Sequence, residues 1–580
     1  PNSLPSDDSS KKTDSDDVSK ECGELLDWVH ASYSPKSREA SKKFEGQPSS
    51  DSSKGQSEKY KKKDKDEQGK SDGEQQYPTR TKKIPSKDFS IKEGCNAPFY
   101  LGGKAFSPNR SDRLEVQDKF TGKTYCTVSR ASADEVEDAI RIAAGPGADK
   151  MRALPHYKRK AILMNVANEA RRRKEELAVM LAIEAGKAIG DSRGEVGRLI
   201  ETFEIAAEEA VRIYGEFEEL DMTERGEGFT SITKPFPIGP VSMISPFNFP
   251  LNLTAHKIAP AIAAGCSFVL KPASRTPLGA LILGEILAND ENMPKEGFSI
   301  LPTTREAGDK LIEDDRFKLL TFTGSDTVGW DMKKRAGKKP VVLELGGNAA
   351  CIVDDLTRGL DTVVDQVVHG GFYQSGQSCI SVQRIFVKDD IYDDFRGKLV
   401  EKTKALKMGD PLDEDTFIGP VISPKDADRL SEWVDEAVKA GAKLLCGGET
   451  SKKVFLQPTV LENVDDHCHL YKDEAFGPVV CLEKYSKFSE AVDRVNNSRF
   501  GLQAGVFTGN IDKAHYAYDR IYAGGVVINA VPSVRLDAQA YGGVKDSGLG
   551  REGLRCAIKD MTELKVMLMK GCGDLANCDN

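Results

Sequence analysis

The sequence predicts a parallel α/β fold behind a charged tail, and three observations carry that prediction. Short, wholly apolar runs at 241–244, 268–270, 319–322, 341–343 and 350–353 alternate with helical stretches such as 278–288 and 304–313. Runs without polar alternation are strands covered on both faces, which is the condition of a parallel sheet flanked by helices. The alternation resumes from 384–387 onward, so a second α/β lobe follows the first. Before residue 95 the texture is entirely different.

Residues 1–90 hold 18 Ser, 18 acidic and 18 basic residues against 12 large apolar ones. Such a stretch cannot bury enough surface to offset its ordering entropy, so 1–94 is expected to be a disordered charged tail. Within it, Leu25-Leu26-Asp27-Trp28-Val29 has the look of a partner-binding helix and Lys61-Lys62-Lys63 of a nuclear signal. Solvated linker is the expectation for both. The tail is acid-rich with two Arg, unlike an organelle transit peptide, and it starts at Pro1 rather than Met, as a chain lacking its original start would.

Over 580 residues, 82 Lys+Arg face 91 Asp+Glu, a net charge of −9. The tail's charges cancel, so the deficit belongs to residues 91–580 and argues against a nucleic-acid partner bound by bulk charge. Twelve Cys without short regular spacing argue against a disulfide scaffold and for reduced thiols, hence a cytoplasmic location. The longest apolar run, 258–270, contains Pro260 and Gly265 and is shorter than the ~20 residues of a membrane span.

From the boundary onward the elements can be placed in order. Ser132-Ala133-Asp134-Glu135 is a capping box, followed by Val136, Ile140 and Ala143 at helical spacing. Helices over 159–184 and 195–214 come next, and the strand pattern starts after Gly239. Gly548-Leu549-Gly550-Arg551-Glu552-Gly553 satisfies G-x-G-x-x-G, but no strand opens a βαβ unit there. Gly190-Asp191-Ser192-Arg193-Gly194 satisfies G-x-S-x-G, but lies among helices rather than at a strand-to-helix elbow. His467-Cys468-His469 cannot converge on one ion if adjacent side chains alternate, so no metal is expected.

The chemistry concentrates in a few motifs. Gly371-Phe372-Tyr373-Gln374-Ser375-Gly376-Gln377-Ser378-Cys379-Ile380 puts a thiol at the end of a polar turn, where backbone N–H groups would lower its pKa and hold an oxyanion. Ile244-Ser245-Pro246-Phe247-Asn248-Phe249-Pro250 puts an amide between aromatics. Val342-Leu343-Glu344-Leu345-Gly346-Gly347-Asn348 puts a carboxylate at a strand end, and Glu474-Ala475-Phe476-Gly477-Pro478 stands downstream. At these motifs the chain resembles the aldehyde dehydrogenase superfamily, from about residue 95 to 570.

The resemblance implies a Rossmann-like cofactor domain over 95–345, interrupted by oligomerisation strands near 228–240, and an α/β catalytic domain over 346–540. Residues 541–580 would return to the cofactor domain and a small β oligomerisation arm, in a homodimer or homotetramer. It also implies that Cys379 is the nucleophile, that Asn248 and the Cys379 N–H hold the oxyanion, and that Glu344 activates water to release a free acid. Lys271, Ser274, Gly324, Ser325, Gly329, Leu345, Gly346, Glu474 and Phe476 would line the cofactor. Many NAD-specific relatives carry Glu at the Ser274 position, and its loss removes a repulsion against a 2′-phosphate, so NADP is expected ahead of NAD.

Arg198 and Arg535 stand where relatives handling anionic aldehydes place cations, and a guanidinium pair would clamp a carboxylate at the far end of a short substrate. Phe249 and Ser378 occupy positions where phosphate-handling relatives commonly have Tyr and Arg. The sequence is similar to the plant family 21, succinate-semialdehyde, lactaldehyde and non-phosphorylating glyceraldehyde-3-phosphate branches. Succinate semialdehyde is the expected substrate, with lactaldehyde and glyceraldehyde 3-phosphate as rivals. A recruited scaffold that keeps the fold is the alternative from a different class.

Overall fold

The computed structural model describes residues 76–85 and 88–571. Its first sheet runs, in spatial order, Gly548–Leu549, Val341–Glu344, Leu319–Thr323, Val241–Ile244, Phe268–Lys271, Phe298–Ile300, Phe99–Leu101 and Lys104–Phe106. The five strands from Val341–Glu344 to Phe298–Ile300 are parallel, and the outer ones pair antiparallel. The apolar run 258–270 divides into the end of helix Asn252–Ala264, buried at every residue, and the strand Phe268–Lys271. Gly265, at φ +86°, makes the left-handed turn between them.

A second sheet of seven strands follows: Lys443–Cys446, Thr459–Glu462, Val479–Tyr485, Val382–Lys388, Ala349–Val353, Gln503–Phe507 and Gly525–Ile528. All are parallel except Lys443–Cys446 at the edge. A third, three-stranded antiparallel sheet joins Thr562–Lys570, Phe229–Pro237 and Glu216–Glu219. Leu564, Val566 and Leu568 stand exposed on it.

The helix Ala133–Ile142 starts at the capping box read from the sequence, with Ser132 and Glu135 each bonding the other's backbone N–H, a device worth about 1 kcal/mol. The G-x-S-x-G lookalike lies within helix Ile189–Glu209. Gly548–Leu549 is an edge strand rather than the turn of a βαβ unit. His467 is exposed, Cys468 is buried, and His469 turns away to Glu436 and stacks on Trp433, so the three side chains diverge.

The boundary expected at 94 is corrected by the residues before it. Arg80 forms buried ion pairs with Asp118 and Asp410, and Ser90 bonds Glu176 from both its N–H and its hydroxyl. Composition hid this because one buried Arg outweighs its polar neighbours only when its carboxylate partners, distant in sequence, come together. Leu25-Leu26-Asp27-Trp28-Val29 and Lys61-Lys62-Lys63 lie outside the described residues. Among the described residues no helix is long and apolar enough to cross a membrane.

Candidate active site

The turn before Cys379 bends the wrong way for ordinary residues. Helix Leu360–Phe372 runs into Tyr373–Gly376, where Gln374, Ser375 and Gly376 take φ of +50°, +57° and +69°. Each non-glycine residue there costs roughly 1–2 kcal/mol. Three hydrogen bonds hold the bend: Gln374 N–H to Asp191 Oδ2 at 2.8 Å, Gln374 Nε2 to the Asn248 carbonyl, and Ser375 Oγ to the Gly419 carbonyl at 2.8 Å. Gly376 is required twice over, because a Cβ there would lie 2.1 Å from the Gly477 carbonyl oxygen.

Past this bend, the Cys379 sulfur lies 3.5 Å from the Tyr541 hydroxyl, and the Arg535 guanidinium stacks 3.8 Å over the Tyr541 ring. Burial pushes the thiol up to about 12; Tyr541 and Arg535 work against this, while Glu474 and Glu344 add to it. The expected lowering by backbone N–H groups is therefore corrected. Cys379 is held as a thiol, because desolvation outweighs the local dipoles.

Glu344 ends its strand only 4 % exposed, with neither carboxyl oxygen hydrogen-bonded. Burial first, then the charge of Glu552, raises its pKa well above the carboxylate range, against the pull of Arg535 and Lys257. Glu552 behaves oppositely and is held down at about 2: burial alone would raise it, but Lys257 and Arg535 dominate. Lys257 Nζ bonds Thr321, Thr323 and Glu552 Oε1 at 2.9, 2.7 and 3.2 Å, and Arg535 Nη2 donates to Glu552 Oε2 at 3.0 Å. A Cβ on Gly542 would stand 2.6 Å from Glu344 Oε1.

Asn248 is buried, and its Nδ2 donates at 3.1 Å to the carbonyl of Gln377, two residues from the sulfur. That bond uses one of its two N–H groups and fixes the amide plane. Phe249 packs between Lys187, whose Nζ lies 3.9 Å over its ring, and Tyr373 at 6.3 Å. Tyr373 donates to Ser378 Oγ at 2.6 Å, so a phenol is present here although residue 249 is Phe.

The two arginines are not a free pair. Arg198 gives its fork to Asp537 at 3.0 and 2.6 Å, and Asp537 also bonds His256 Nε2 and Asn252 Nδ2. Arg535 is tied to Glu552 and stacks on Tyr541 next to Cys379 instead of waiting at a far end. Its Nε, however, is buried without a hydrogen-bond partner. Arg198 keeps 30 % of its side chain exposed.

On the other side, Lys271 closes its strand with a mostly buried ammonium whose pKa is lowered by burial and by Arg305. Ser274 is exposed nearby in sequence. Ser325 caps helix Asp326–Arg335 without bonding it through its side chain. Close packing explains the glycines: a Cβ would lie 2.5 Å from Phe322 at Gly324, 2.4 Å from Leu345 at Gly329 and 2.7 Å from Glu474 Oε2 at Gly346. Glu474 accepts the Gly347 N–H at 2.8 Å and is raised to about 7 by burial, while Phe476 packs edge-on against Phe247. Two neighbouring cations, Lys271 and Arg305, have no ion-pair partner among the described residues, which suits a phosphate-bearing dinucleotide.

Sequence reasoning missed Tyr541, Glu552, Lys257, Asp191 and Arg305. Glu552 and Asp191 sat inside the two lookalike motifs, and Lys257 hid in the longest apolar region. Arg305, right after the Thr304 cap, could have been found as a cation at a helix start facing Lys271.

The partly exposed Cys379, the buried Glu344 and the two cations at the end of strand Phe268–Lys271 together suit a dinucleotide-using oxidoreductase. The model of the aldehyde dehydrogenase family matches residues 106–567, and the chain belongs to that family. It is 42 % identical over 460 residues to a 3-sulfolactaldehyde dehydrogenase of Priestia megaterium, covering 79 % of this chain and 95 % of that one. It is 38 % identical over 476 residues to a lactaldehyde dehydrogenase of Methanocaldococcus jannaschii, covering 81 % and 100 %. Aldehyde dehydrogenase 21 from Physcomitrella patens, solved with the reaction product succinate, superposes with a TM-score of 0.82 at 52 % identity, covering 83 % of this chain and 100 % of that one. A glyceraldehyde-3-phosphate dehydrogenase from Methanocaldococcus jannaschii, solved with NADP, gives 0.75 at 38 %, covering 80 % and 100 %. The protein is an NAD(P)-dependent aldehyde oxidoreductase.

Proposed function

We propose that the protein prefers NADP and oxidises a short carboxylate-bearing aldehyde, succinate semialdehyde first, to the free acid. The observation that carries the substrate reading is the Arg535 Nε, a buried donor without a partner close to the nucleophile. A substrate carboxylate oxygen would satisfy it, and Arg198 adds a half-exposed cation. The succinate bound by the Physcomitrella enzyme supports the same choice. Lactaldehyde-type substrates are the second reading, favoured by the names of the Priestia and Methanocaldococcus relatives.

In this reading Cys379 Sγ, its thiol proton passing to solvent, attacks the aldehyde carbon, the remaining N–H of Asn248 Nδ2 with the Cys379 N–H holds the oxyanion, and loss of a hydride from that carbon leaves a thioester. Lys271, Ser274, Arg305, Ser325, Glu474 and Phe476 would hold NADP, with Gly324, Gly329, Leu345 and Gly346 packed closely around them, and the cofactor would supply the acceptor for that hydride. Glu344 then takes a proton from the water that cleaves the Cys379 thioester, a carboxylate whose pKa is raised by burial being a stronger base than an ordinary one. Exposed Leu564, Val566 and Leu568 support association into homodimers or homotetramers. A cytoplasmic location follows from reduced-thiol usage.

Initial rates with succinate semialdehyde, lactaldehyde and glyceraldehyde 3-phosphate, each with NADP and NAD, test the proposal. The highest kcat/KM is expected for succinate semialdehyde with NADP. A best rate with a long neutral aldehyde and NAD would overturn both halves.

A further inference from the structure

Cys95, the residue before strand Asn96–Ala97, stands beside Cys126 of the parallel strand Thr124–Ser129. Asn96–Ala97 pairs with Thr124–Ser129 in the register Asn96 to Thr127 and Ala97 to Val128, which sets Cys95 opposite Cys126. The ladder continues through the pair: Thr127 N–H donates to the Cys95 carbonyl at 3.0 Å, and Gly94 N–H to the Tyr125 carbonyl at 2.7 Å. Directly opposed residues of one sheet point to the same face. Both sulfurs are free thiols and lie within hydrogen-bonding reach of each other.

We propose that Cys95 and Cys126 form a reversible disulfide with a small-molecule disulfide such as oxidised glutathione as the oxidant. Cys95 is the point of entry because it is partly exposed, whereas Cys126 is 1 % exposed. The Cys95 thiolate attacks one sulfur of the small disulfide, forming a mixed disulfide and releasing one small thiol, which carries the proton that Cys95 lost. The Cys126 thiolate then attacks the Cys95 sulfur and releases the second thiol. The protein loses two electrons and two protons, and the small disulfide gains both.

Burial holds the Cys126 thiol above its ordinary range, with Cys95 adding to it, so the second step is slow and the product, once formed, is shielded from reductant. The bond would lock the segment carrying Ile91, a core residue, and Ser90, a partner of Glu176, onto strand Thr124–Ser129. It constrains the intervening chain as any loop-closing staple does.

The test uses the full chain, folded and incubated with oxidised glutathione, then alkylated without reduction, digested and analysed by mass spectrometry. The expected product is a linked peptide pair containing Cys95 and Cys126, two hydrogens lighter than the reduced peptides, reversed by dithiothreitol and absent in Cys95→Ser and Cys95→Ala. Amide exchange over 91–97 should slow in the oxidised wild type and in neither variant. A glutathione adduct that stays on Cys95, an unmodified pair, or Cys126 linked to any other cysteine would each overturn the proposal.

Discussion

Glu344 and Glu552 are buried carboxyls only a few residues from the same strand pairing, Glu344 to Gly548, yet they end in opposite states. Glu552 has Lys257 and Arg535 in direct contact and stays ionised; Glu344 has no hydrogen-bond partner, and burial together with the charge of Glu552 favours its neutral form. The same contrast separates the reacting centre from its surroundings. Cys379 and Glu344 have no ion-pair partner among the described residues and burial favours their neutral forms, whereas Arg198 with Asp537 and Lys187 with Glu195 are ion pairs. Charge is kept where geometry must be fixed and withheld where a proton has to move.

The sharpest way to break that contrast is to remove the sulfur. Cys379→Ala should lower kcat by about 10⁶-fold, the loss typical of an enzymic nucleophile, measured as steady-state NADPH formation. Glu344→Gln should cost about 100- to 10,000-fold in turnover while leaving a stoichiometric burst of NADPH in rapid mixing, because only hydrolysis needs the base. In the wild type, activity should rise with pH above the ordinary carboxylate range, since a base with a raised pKa is protonated at lower pH and becomes a competent acceptor as pH climbs past that value.

Smaller effects probe the paired region. Arg198→Ala should raise KM for succinate semialdehyde by about 30-fold, the lower end for a broken charge-assisted contact, and leave KM for propanal unchanged. Arg305→Ala should raise KM for NADP by about 10-fold and spare NAD, since only the former brings a 2′-phosphate near Lys271. Glu552→Gln should shift the rising limb of the pH profile to lower pH, because Glu344 loses the negative neighbour and keeps the attraction of Arg535 and Lys257.

The two-lobed α/β plan was legible because buried strands read as unbroken apolar runs, and the capping box at Ser132 because its signal spans four residues. The motifs around Cys379, Glu344 and Asn248, on which the proposed chemistry rests, were read through family resemblance. The state of those groups was not. Backbone dipoles can be inferred from a turn, but desolvation depends on everything folded around it, and here it wins at Cys379. The arginines show the same limit: their positions could be read, but their carboxylate partners are 339 and 17 residues away in the chain.

The left-handed turn ahead of Cys379 carries a consequence for how this enzyme can diversify. Gly376 is hemmed in by the Gly477 carbonyl, and a Cβ on Gly347 would meet the Cys379 carbonyl oxygen at 2.1 Å. Neither position tolerates a side chain of any chemistry, so the backbone path to the sulfur is closed to selection. Variation near the sulfur is then left to side chains such as Phe249, Tyr373 and Ser378, which contact one another beside this turn and are not fixed by main-chain packing.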